Sequence, residues 1–259
     1  MNNIKKVNLF NITIDNFTMN ETLEQIQRLI YTNIQNRKYS YVLTPNVDHI
    51  INIQKDDEFN NIYEGAEIKI ADGMPIVWAS KILRKPLKER VTGADLTPKL
   101  IEMAYQQKLK VFIFGSKEGV AAKAVAKYKK SFGEEFEIEC YSPPFGFENS
   151  INEVNKSIDK ITSFRPDILL VSLGSPKGEF FIKRYIDELR VPVSLQIGAA
   201  IDFIAGTVNR APKWMQKCGL EWFYRFLQEP KRMFKRYFVQ DMLFIILLIK
   251  EFRRKKIYE

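Results

Sequence analysis

Short runs of β-branched and aromatic residues alternate with longer helix-like segments through most of this chain of 259 residues. The runs end in turn-forming residues such as Gly, Thr-Pro and Asp-Gly, which is typical of strands. The predicted strands are Tyr39–Thr44, Glu67–Ala71, Lys110–Gly115, Phe136–Cys140, Asp167–Leu173 and Val193–Gly198. The predicted helices are Glu21–Gln35, Val47–Gly65, Pro75–Ile82, Leu96–Gln107, Gly119–Phe132, Ile151–Phe164 and Gly178–Leu189. This alternation predicts an α/β fold with a mostly parallel sheet and helices on both faces.

Residues with unusual chemistry lie where the predicted strands end. In open parallel sheets, ligands bind beyond the carboxyl ends of the strands. The segments at these ends are Thr44-Pro45-Asn46, Asp72-Gly73, Gly115-Ser116, Gly174–Lys177 and Gln196–Gly198. The sequence therefore predicts a ligand site along this edge of the sheet.

The positive charge of the chain is concentrated near its C-terminus. The formal net charge is +9, and the segment from Arg210 to Glu259 holds thirteen basic and five acidic residues, a net charge of +8. A shift in composition near Val208 divides the chain into a first domain, residues 1–207, and a basic aromatic appendage, residues 208–259. Such an appendage favours an anionic surface or ligand as its partner.

Aromatic residues of the appendage, such as Trp214 and Trp222, are interleaved with its charges. This pattern suits the headgroup region of a membrane, but packing against the first domain or a contact between subunits would also explain it. Single-stranded nucleic acid fits the pattern as well. Because no nucleic-acid module accompanies it, we expect no nucleic-acid partner.

Neither end of the chain carries a segment typical of export or membrane insertion. The late apolar run Met242–Ile249 is far shorter than the ~20 residues that span a bilayer. Residues 1–6 lack the apolar run of a signal peptide. Two cysteines, Cys140 and Cys218, without metal-like spacing favour a reducing compartment. We therefore expect a cytoplasmic protein that is soluble or peripherally attached to a membrane.

Asp72 and Arg90 are the candidate catalytic residues. Asp72 follows a predicted strand and is fixed by Gly73 and Pro75, so its carboxylate is placed to take a proton from a hydroxyl group. An alternative interpretation is that Asp72 only caps the following helix. Arg90 would offset charge on a leaving diphosphate, although it lies in a charged run that is typical of a solvated surface.

Two glycine-containing loops are candidates for phosphate binding. Gly115 begins a loop that leads into a helix, and the loop from Gly174 to Lys177 repeats that arrangement. For the first loop a tight turn is an equal alternative, and for the second a tight turn with a solvated lysine is the favoured interpretation of the loop by itself. Classical dinucleotide and Walker motifs are absent, as is an Asp-x-Asp pair that would hold a divalent metal. His49 is the only histidine; it is expected on the helix after Asn46, with the rim of an active site as the alternative, and no metal site is predicted.

Together these segments resemble the family of bacterial cell-surface glycosyltransferases named for WecG, TagA and CpsF. The resemblance runs from about Thr44 to Tyr237. It is carried by the ordered blocks Thr44–His49, Ala71–Pro75, Glu89–Gly93, Ser142–Phe147, Leu173–Glu179, Gln196–Phe203 and Arg210–Pro212, followed by Gly219–Trp222, Arg225 and Glu229-Pro230.

The resemblance implies a Rossmann-like fold with a C-terminal membrane-facing appendage. It implies transfer of a sugar, often N-acetylmannosamine or its uronic acid, from UDP to undecaprenyl-diphosphate-linked GlcNAc, with inversion at the anomeric carbon. A UDP-sugar, a polyprenyl-diphosphate-linked acceptor and the inner face of the plasma membrane would then be the partners. No cofactor is expected, and a homo-oligomer stays open.

The resemblance also implies roles for individual residues. Asp72 would be the general base, and Arg90 would assist the binding of the acceptor or the diphosphate. Thr44 and Asn46 would lie in the sugar pocket, and Asp202 at the uridine end. The other expected substrate contacts are Gly115, Gly146, Gly174, Lys177, Glu179 and Gln196. The residues expected to meet the lipid diphosphate are Arg225, Arg232 and Arg236.

One position departs from the family pattern. Where Gly178 stands in Pro-Lys-x-Glu, the family commonly has Gln, so the donor sugar stays open unless a neighbouring group takes the place of that side chain. Two other classes of function also stay open. One is a different Rossmann enzyme, such as a nucleotide-sugar epimerase or an NAD-linked oxidoreductase, and the other is a basic membrane-binding module without enzymatic activity.

Overall fold

A computed structural model describes residues 6–228, residue 230 and residues 241–258. Six of the described strands form one sheet in the order β4-β3-β8-β7-β5-β6, and every neighbouring pair is parallel. These strands are β3 (Ser40–Leu43), β4 (Ile68–Lys69), β5 (Val111–Gly115), β6 (Ile138–Tyr141), β7 (Ile168–Ser172) and β8 (Val193–Gln196). Each overlaps a predicted strand, and the predicted α/β class with a parallel sheet is confirmed.

Two further strands, β1 (Lys6–Leu9) and β2 (Ile12–Asp15), form an antiparallel hairpin that the sequence analysis did not predict. Its turn residues Phe10 and Asn11 both adopt positive φ angles, 52° and 63°. Hairpin turns of this kind are usually recognised by an Asn-Gly or Asp-Gly pair. Phe-Asn lacks that signal.

The helices cover both faces of the sheet. They are α1 (Met19–Asn36), α2 (Val47–Ile53), α3 (Asp57–Glu64), α4 (Met74–Ile82), α5 (Gly93–Gln106), α6 (Val120–Phe132), α7 (Ile151–Phe164), α8 (Lys177–Leu189) and α9 (Ala200–Ile204). The prediction of one helix over residues 47–65 is wrong. The chain breaks after Ile53, and Asp56 caps α3 by accepting a hydrogen bond from the Phe59 N–H at 3.0 Å.

Two apolar clusters lie on opposite faces of the sheet. One joins the hairpin with α2, α3, α7 and α8, and the other contains α1, α5, α6 and α9. The helix after β3 therefore packs on one face, whereas the helix after its neighbour β8 packs on the other. At such a topological switch the connections diverge and leave a crevice at the carboxyl ends of the strands. Below, "the crevice" means this space beyond β3 and β8.

The C-terminal segment contains α10 (Lys213–Lys217), α11 (Glu221–Gln228) and α12 (Asp241–Tyr258). Phe244 of α12 is buried and packs on Phe10 of the hairpin turn, with ring centroids 5.1 Å apart. Among the described residues, no helix has the length and apolar character needed to cross a membrane. The division into residues 1–207 and 208–259 stays a prediction.

Candidate active site

Asp72 stands at the mouth of the crevice, just after β4. Its backbone N–H donates to the carbonyl of Pro45 at 2.8 Å, and the carbonyl of Ala71 accepts from the Val91 N–H at 3.1 Å. Gly73 has a φ of 148°, a conformation that favours glycine, and it lets the chain turn directly into α4. The carboxylate is therefore held between the segments that follow β3 and that precede α5.

The environment of Asp72 makes its carboxylate more basic than that of an ordinary aspartate. Burial raises the pKa of Asp72 to about 6, although a hydrogen bond from the Gly93 N–H and the charge of Arg90 act in the opposite direction. The Gly93 bond reaches Oδ2 at 3.3 Å. A carboxylate of this kind is ionised at neutral pH and is well matched to accepting a proton there.

Asn46 lies beside Asp72 and caps α2. Its Oδ1 atom accepts hydrogen bonds from the N–H groups of Asp48 at 3.0 Å and His49 at 3.4 Å. A Cβ atom built on Gly73 would be 4.0 Å from the Cβ atom of Asn46. Asn46 is thus next to Asp72, and its place in a sugar pocket stays a prediction. Thr44, two residues earlier, is half-buried at the same strand end.

His49 and Glu179 form a buried pair behind Asn46. The Nε2 atom of His49 lies 3.2 Å from Oε1 of Glu179, and Nδ1 accepts a hydrogen bond of 2.9 Å from the backbone N–H of Asn46. Burial favours the neutral acid, but the hydrogen bond from Nε2 of His49 holds the pKa of Glu179 below its usual range. We call Asn46, His49 and Glu179 the capped wall. One oxygen of Glu179 faces His49, and contact of Glu179 with substrate stays a prediction.

The base of the crevice is formed by the loop after β8. Gln196 donates from Nε2 to the carbonyl of Leu173 at 2.9 Å and accepts at Oε1 from the Gly198 N–H at 2.5 Å. A Cβ atom on Gly178 would lie 2.8 Å from Nε2 of Gln196, and one on Gly93 would lie 3.3 Å from the carbonyl oxygen of Ile197. Close contacts therefore connect the Asp72 side of the crevice to the α8 side.

On the other side of Asp72, four charged residues form an interlocking cluster. Arg210 donates to Asp95 at 2.5 and 3.0 Å and to Glu221 at 2.9 Å, while Arg90 approaches Glu221 at 3.4 Å and Asp95 at 4.0 Å. Although burial disfavours the charged form, these carboxylates hold the pKa of Arg210 above its usual range. We call Arg90, Asp95, Arg210 and Glu221 the ion-pair wall. Arg90 is only 15% exposed, so it is not part of a solvated surface run.

The C-terminal segment packs directly on the segment that carries Asp72. Gly219 has a φ of 74°, and a Cβ atom there would be 2.8 Å from Cγ of Met74 and 3.0 Å from the ring of Trp78. Ala211 and Met215 are buried. Residues 210–221 therefore close one side of the crevice.

Several predicted substrate contacts lie further along the strand ends. Gly115 has a φ of 102°, and a Cβ atom there would be 2.6 Å from the carbonyl oxygen of Ser172, which gives a structural reason for glycine. Lys177 pairs with Glu148 and lies over the ring of Phe145. Gly146 has a φ of 79°, Gly174 has open space around it, and Asp202 lies in the first turn of α9. Contact of these residues with a substrate stays a prediction.

Of the three arginines expected at the lipid diphosphate, one lies in a described helix. Arg225 lies within α11, but its side chain is not among the described parts of the chain. Arg232 and Arg236 lie outside the described residues. In the described ranges, no group of three or more His, Cys, Asp or Glu residues is arranged to hold a metal ion.

The sequence analysis assigned no role to Asp95, Arg210 or Glu221. Arg210 and Glu221 belonged to blocks that carried the family resemblance, which was the available signal. Their partners are far away in the sequence, so no spacing rule joins them. His49 was expected on the helix after Asn46, and this is confirmed.

Comparison with known proteins gives one consistent result. A model of the Glycosyl transferase WecG/TagA/CpsF family matches residues 7–258. The chain is 30% identical to a Bacillus spizizenii protein over 216 residues, which are 83% of this chain and 82% of that protein. It is also 30% identical to a Bacillus subtilis protein over 79% of this chain and 77% of that protein. A Staphylococcus aureus protein is 26% identical over 89% of this chain and 87% of its own length. All three are named N-acetylglucosaminyldiphosphoundecaprenol N-acetyl-beta-D-mannosaminyltransferase.

Proposed function

The chain belongs to the WecG/TagA/CpsF family of glycosyl transferases, and from that premise we propose that it moves an N-acetylmannosaminyl or related hexosyl group from UDP to a polyprenyl-diphosphate-linked sugar. The relatives are named for an N-acetylglucosaminyldiphosphoundecaprenol acceptor and an N-acetylmannosaminyl group. The product would enter the synthesis of teichoic acid or another cell-surface polysaccharide.

The observation that carries this proposal is the carboxylate of Asp72 at the mouth of the crevice, with a pKa raised by burial to about 6. In the proposed reaction, an acceptor hydroxyl loses its proton to Asp72 as its oxygen attacks the anomeric carbon. A new carbon–oxygen bond forms to the acceptor, and the bond from the anomeric carbon to UDP breaks. A single displacement inverts the anomeric configuration, and UDP leaves with the electron pair.

The diphosphate of the donor needs compensation for its negative charge. Two long helices at this edge, α6 and α8, begin without a side-chain cap, after the loops that contain Gly115 and Gly174. Uncapped N-terminal amides bind phosphate groups well because the helix dipole adds to their hydrogen bonds. Arg90 would supply positive charge nearer to Asp72.

The contact between Gly178 and Gln196 supports a donor close to that of the relatives. The side-chain amide of Gln196 fills the space next to Gly178. An amide group thus occupies this corner of the crevice even though residue 178 has no side chain. Gln196 would take over the contact that Gly178 lacks, so we propose N-acetylmannosamine as the first donor to test.

The acceptor is the reason to propose attachment to the inner face of the plasma membrane. A polyprenyl chain stays in the bilayer, so the enzyme has to meet its acceptor there. The appendage carries a net charge of +8, and exposed apolar residues accompany it, including Trp214 and Leu227. Basic and apolar groups together favour binding to anionic lipid. A contact between subunits would use the same residues. The molecular mass of the purified protein in solution would show whether such a contact forms.

A donor screen tests the proposal. Purified protein is mixed with a short-chain polyprenyl-diphosphate-GlcNAc acceptor and each of UDP-N-acetylmannosamine, its uronic acid and UDP-N-acetylglucosamine, and UDP release is measured. We expect acceptor-dependent release with N-acetylmannosamine or its uronic acid. The Asp72→Asn variant is the matched control. Retention of NAD without UDP release would instead support a different Rossmann enzyme.

A further inference from the structure

The capped wall contains a buried ionisable pair for which the proposed reaction has no use. Glu179 is 1% exposed and His49 is 8% exposed. The Oε2 atom of Glu179 has no hydrogen-bond partner at normal distance among the described residues. Burying a carboxylate costs free energy unless the group is well paired. His49 completes a capping box with Asn46 through Nδ1, but that box makes no use of Nε2 and so does not explain the buried Glu179.

The hydrogen bonds of His49 define where its proton lies. Its Nδ1 atom accepts from the backbone N–H of Asn46 at 2.9 Å, so Nδ1 carries a lone pair. The proton therefore lies on Nε2, which is 3.2 Å from Oε1 of Glu179. A carboxylate that accepts from one imidazole nitrogen fixes the tautomer and leaves the other nitrogen as an acceptor. The rings of Phe59 and Tyr63, with centroids 6.2 and 6.0 Å away, enclose the imidazole.

Fixing His49 in turn fixes the orientation of Asn46. The backbone N–H of Asn46 is held by Nδ1 of His49, and its Oδ1 atom accepts from the N–H groups at the start of α2. With the oxygen turned toward the helix, the Nδ2 group is the part of the side chain left for a ligand. The side chain stands next to Gly73, and so beside Asp72.

We infer that Glu179 and His49 are a positioning pair that holds Asn46 so that its Nδ2 donors face a substrate oxygen beside Asp72. This inference rests on the proposed function, since the substrate is that of the glycosyl transfer. Neither His49 nor Glu179 touches the reacting atoms. Because α8 carries Glu179 and α2 carries His49, the pair also ties together the two helices on this side of the crevice.

The first test measures the tautomer of His49 in the free protein. The chain has a single histidine, so its imidazole nitrogen signals in a labelled sample need no assignment by mutation. We expect the neutral form with the proton on Nε2, and a smaller fraction of that form in Glu179→Gln. A wild-type imidazole protonated on Nδ1 would overturn the inference.

The second test uses two substitutions at one position. Gln at residue 49 offers an acceptor and a donor with nearly the spacing of the imidazole nitrogens, whereas Leu offers neither. We expect His49→Gln to keep kcat/KM within about threefold and His49→Leu to lose at least about tenfold, since small misplacements in an active site are costly. Equal losses in the two variants would contradict the inference.

The third test asks whether His49 acts through Asn46. In Asn46→Ala the donors are gone, so adding His49→Leu should cost little more in kcat/KM, and strict additivity of the two losses would refute the coupling. Asn33→Ala is the control, because buried Asn33 donates to the Pro192 carbonyl at 2.7 Å at the opposite ends of the same strands. That variant should lose stability while kcat stays unchanged.

A result on the free protein separates this inference from the proposed function. Hydrogen exchange at the Asn46 backbone amide should be slow in the wild type and in His49→Gln, and fast in His49→Leu. If the wild type releases no UDP with any donor, the proposed function fails, while the tautomer and the exchange rates still decide for or against the pair.

Discussion

The two walls beside Asp72 are built from different interactions. The capped wall consists of a helix cap and an imidazole held between a backbone amide and a buried carboxylate. The ion-pair wall consists of two arginines and two carboxylates that are 15–36% exposed. Salt screens exposed charges but has little effect on buried hydrogen bonds. One wall is therefore expected to be insensitive to ionic strength and the other to respond to it.

The walls also differ in how they depend on the C-terminal segment. Residues of the capped wall lie at the start of α2 and in α8, both before residue 208. Two residues of the ion-pair wall, Arg210 and Glu221, come from the segment that follows it. The first wall thus takes no residue from beyond position 207, although α12 packs on α2, whereas the second takes two of its four residues from there.

The largest expected effect is at Asp72, which lies between the two walls. Asn at position 72 keeps the shape of the side chain but is not a proton acceptor of comparable strength, so Asp72→Asn should lower turnover by about 10²–10⁴-fold. UDP binding, followed by calorimetry, should change little. Full turnover in this variant would show that Asp72 is not the base, so the two walls would not flank a catalytic group.

The next effect is a pH dependence. Burial raises the pKa of Asp72 to about 6, and only the ionised carboxylate accepts a proton. Turnover should therefore be constant near neutral pH and fall about tenfold per unit below about pH 6. The measurement is kcat between pH 4.5 and 8. An unshifted acid limb near pH 4 would show that the carboxylate is not buried during the reaction.

Breaking the ion-pair wall should have an intermediate effect. Arg210→Met removes charge-assisted hydrogen bonds to Asp95 and Glu221, so we expect a loss of about 2–3 kcal/mol in the free energy of unfolding and about a tenfold lower turnover. Denaturant unfolding and UDP release measure the two. Arg210→Lys keeps the positive charge but lacks the planar guanidinium group. Its stability and turnover should therefore lie between those of Arg210→Met and the wild type. If high salt lowers the free energy of unfolding of Arg210→Met as much as that of the wild type, the stability of the ion-pair wall does not depend on these charges.

The smallest effect should come from the glycine that docks the appendage. Gly219→Ala places a Cβ within 3.0 Å of Met74 and Trp78 at a positive φ, which costs about 1–2 kcal/mol of strain. We expect turnover to fall a few-fold, with faster proteolysis after residue 208. Gly206→Ala is the matched control, because it has a similar φ, 71°, and open space around it. Equal effects in both variants would mean that strain, and not docking, is responsible.

The sequence predicted the sheet because its strands carry a strong local signal. Every residue of β5 and β7 is buried, so these strands are continuous apolar runs. The sequence also placed Asp72 and Asn46 at one edge of the sheet, because the carboxyl ends of parallel strands meet there. The hairpin was missed because Phe10-Asn11 is an unusual turn. The helix break after Ile53 was missed because Asp56, which caps α3, is one of several neighbouring acidic residues and does not stand out as a cap.

The partners within the walls could not be predicted. Glu179 has the pattern of an acidic residue in the first turn of a helix, which is usually solvated, and only the fold brings it to His49. Arg210 contacts Asp95 within the ion-pair wall because the C-terminal segment packs there. Contacts between distant residues depend on tertiary structure, and spacing rules hold no information about them.

The order of strands in the sheet has a consequence for synthesis of the protein. β3 lies between β4 and β8, so one edge of an early strand stays unpaired until Val193–Gln196 has left the ribosome. Domains that depend on such distant pairing fold late and expose apolar edges in the meantime. A nascent chain that ends before β8 should therefore bind chaperones and lack the crevice, which should form only after β8 has been synthesised.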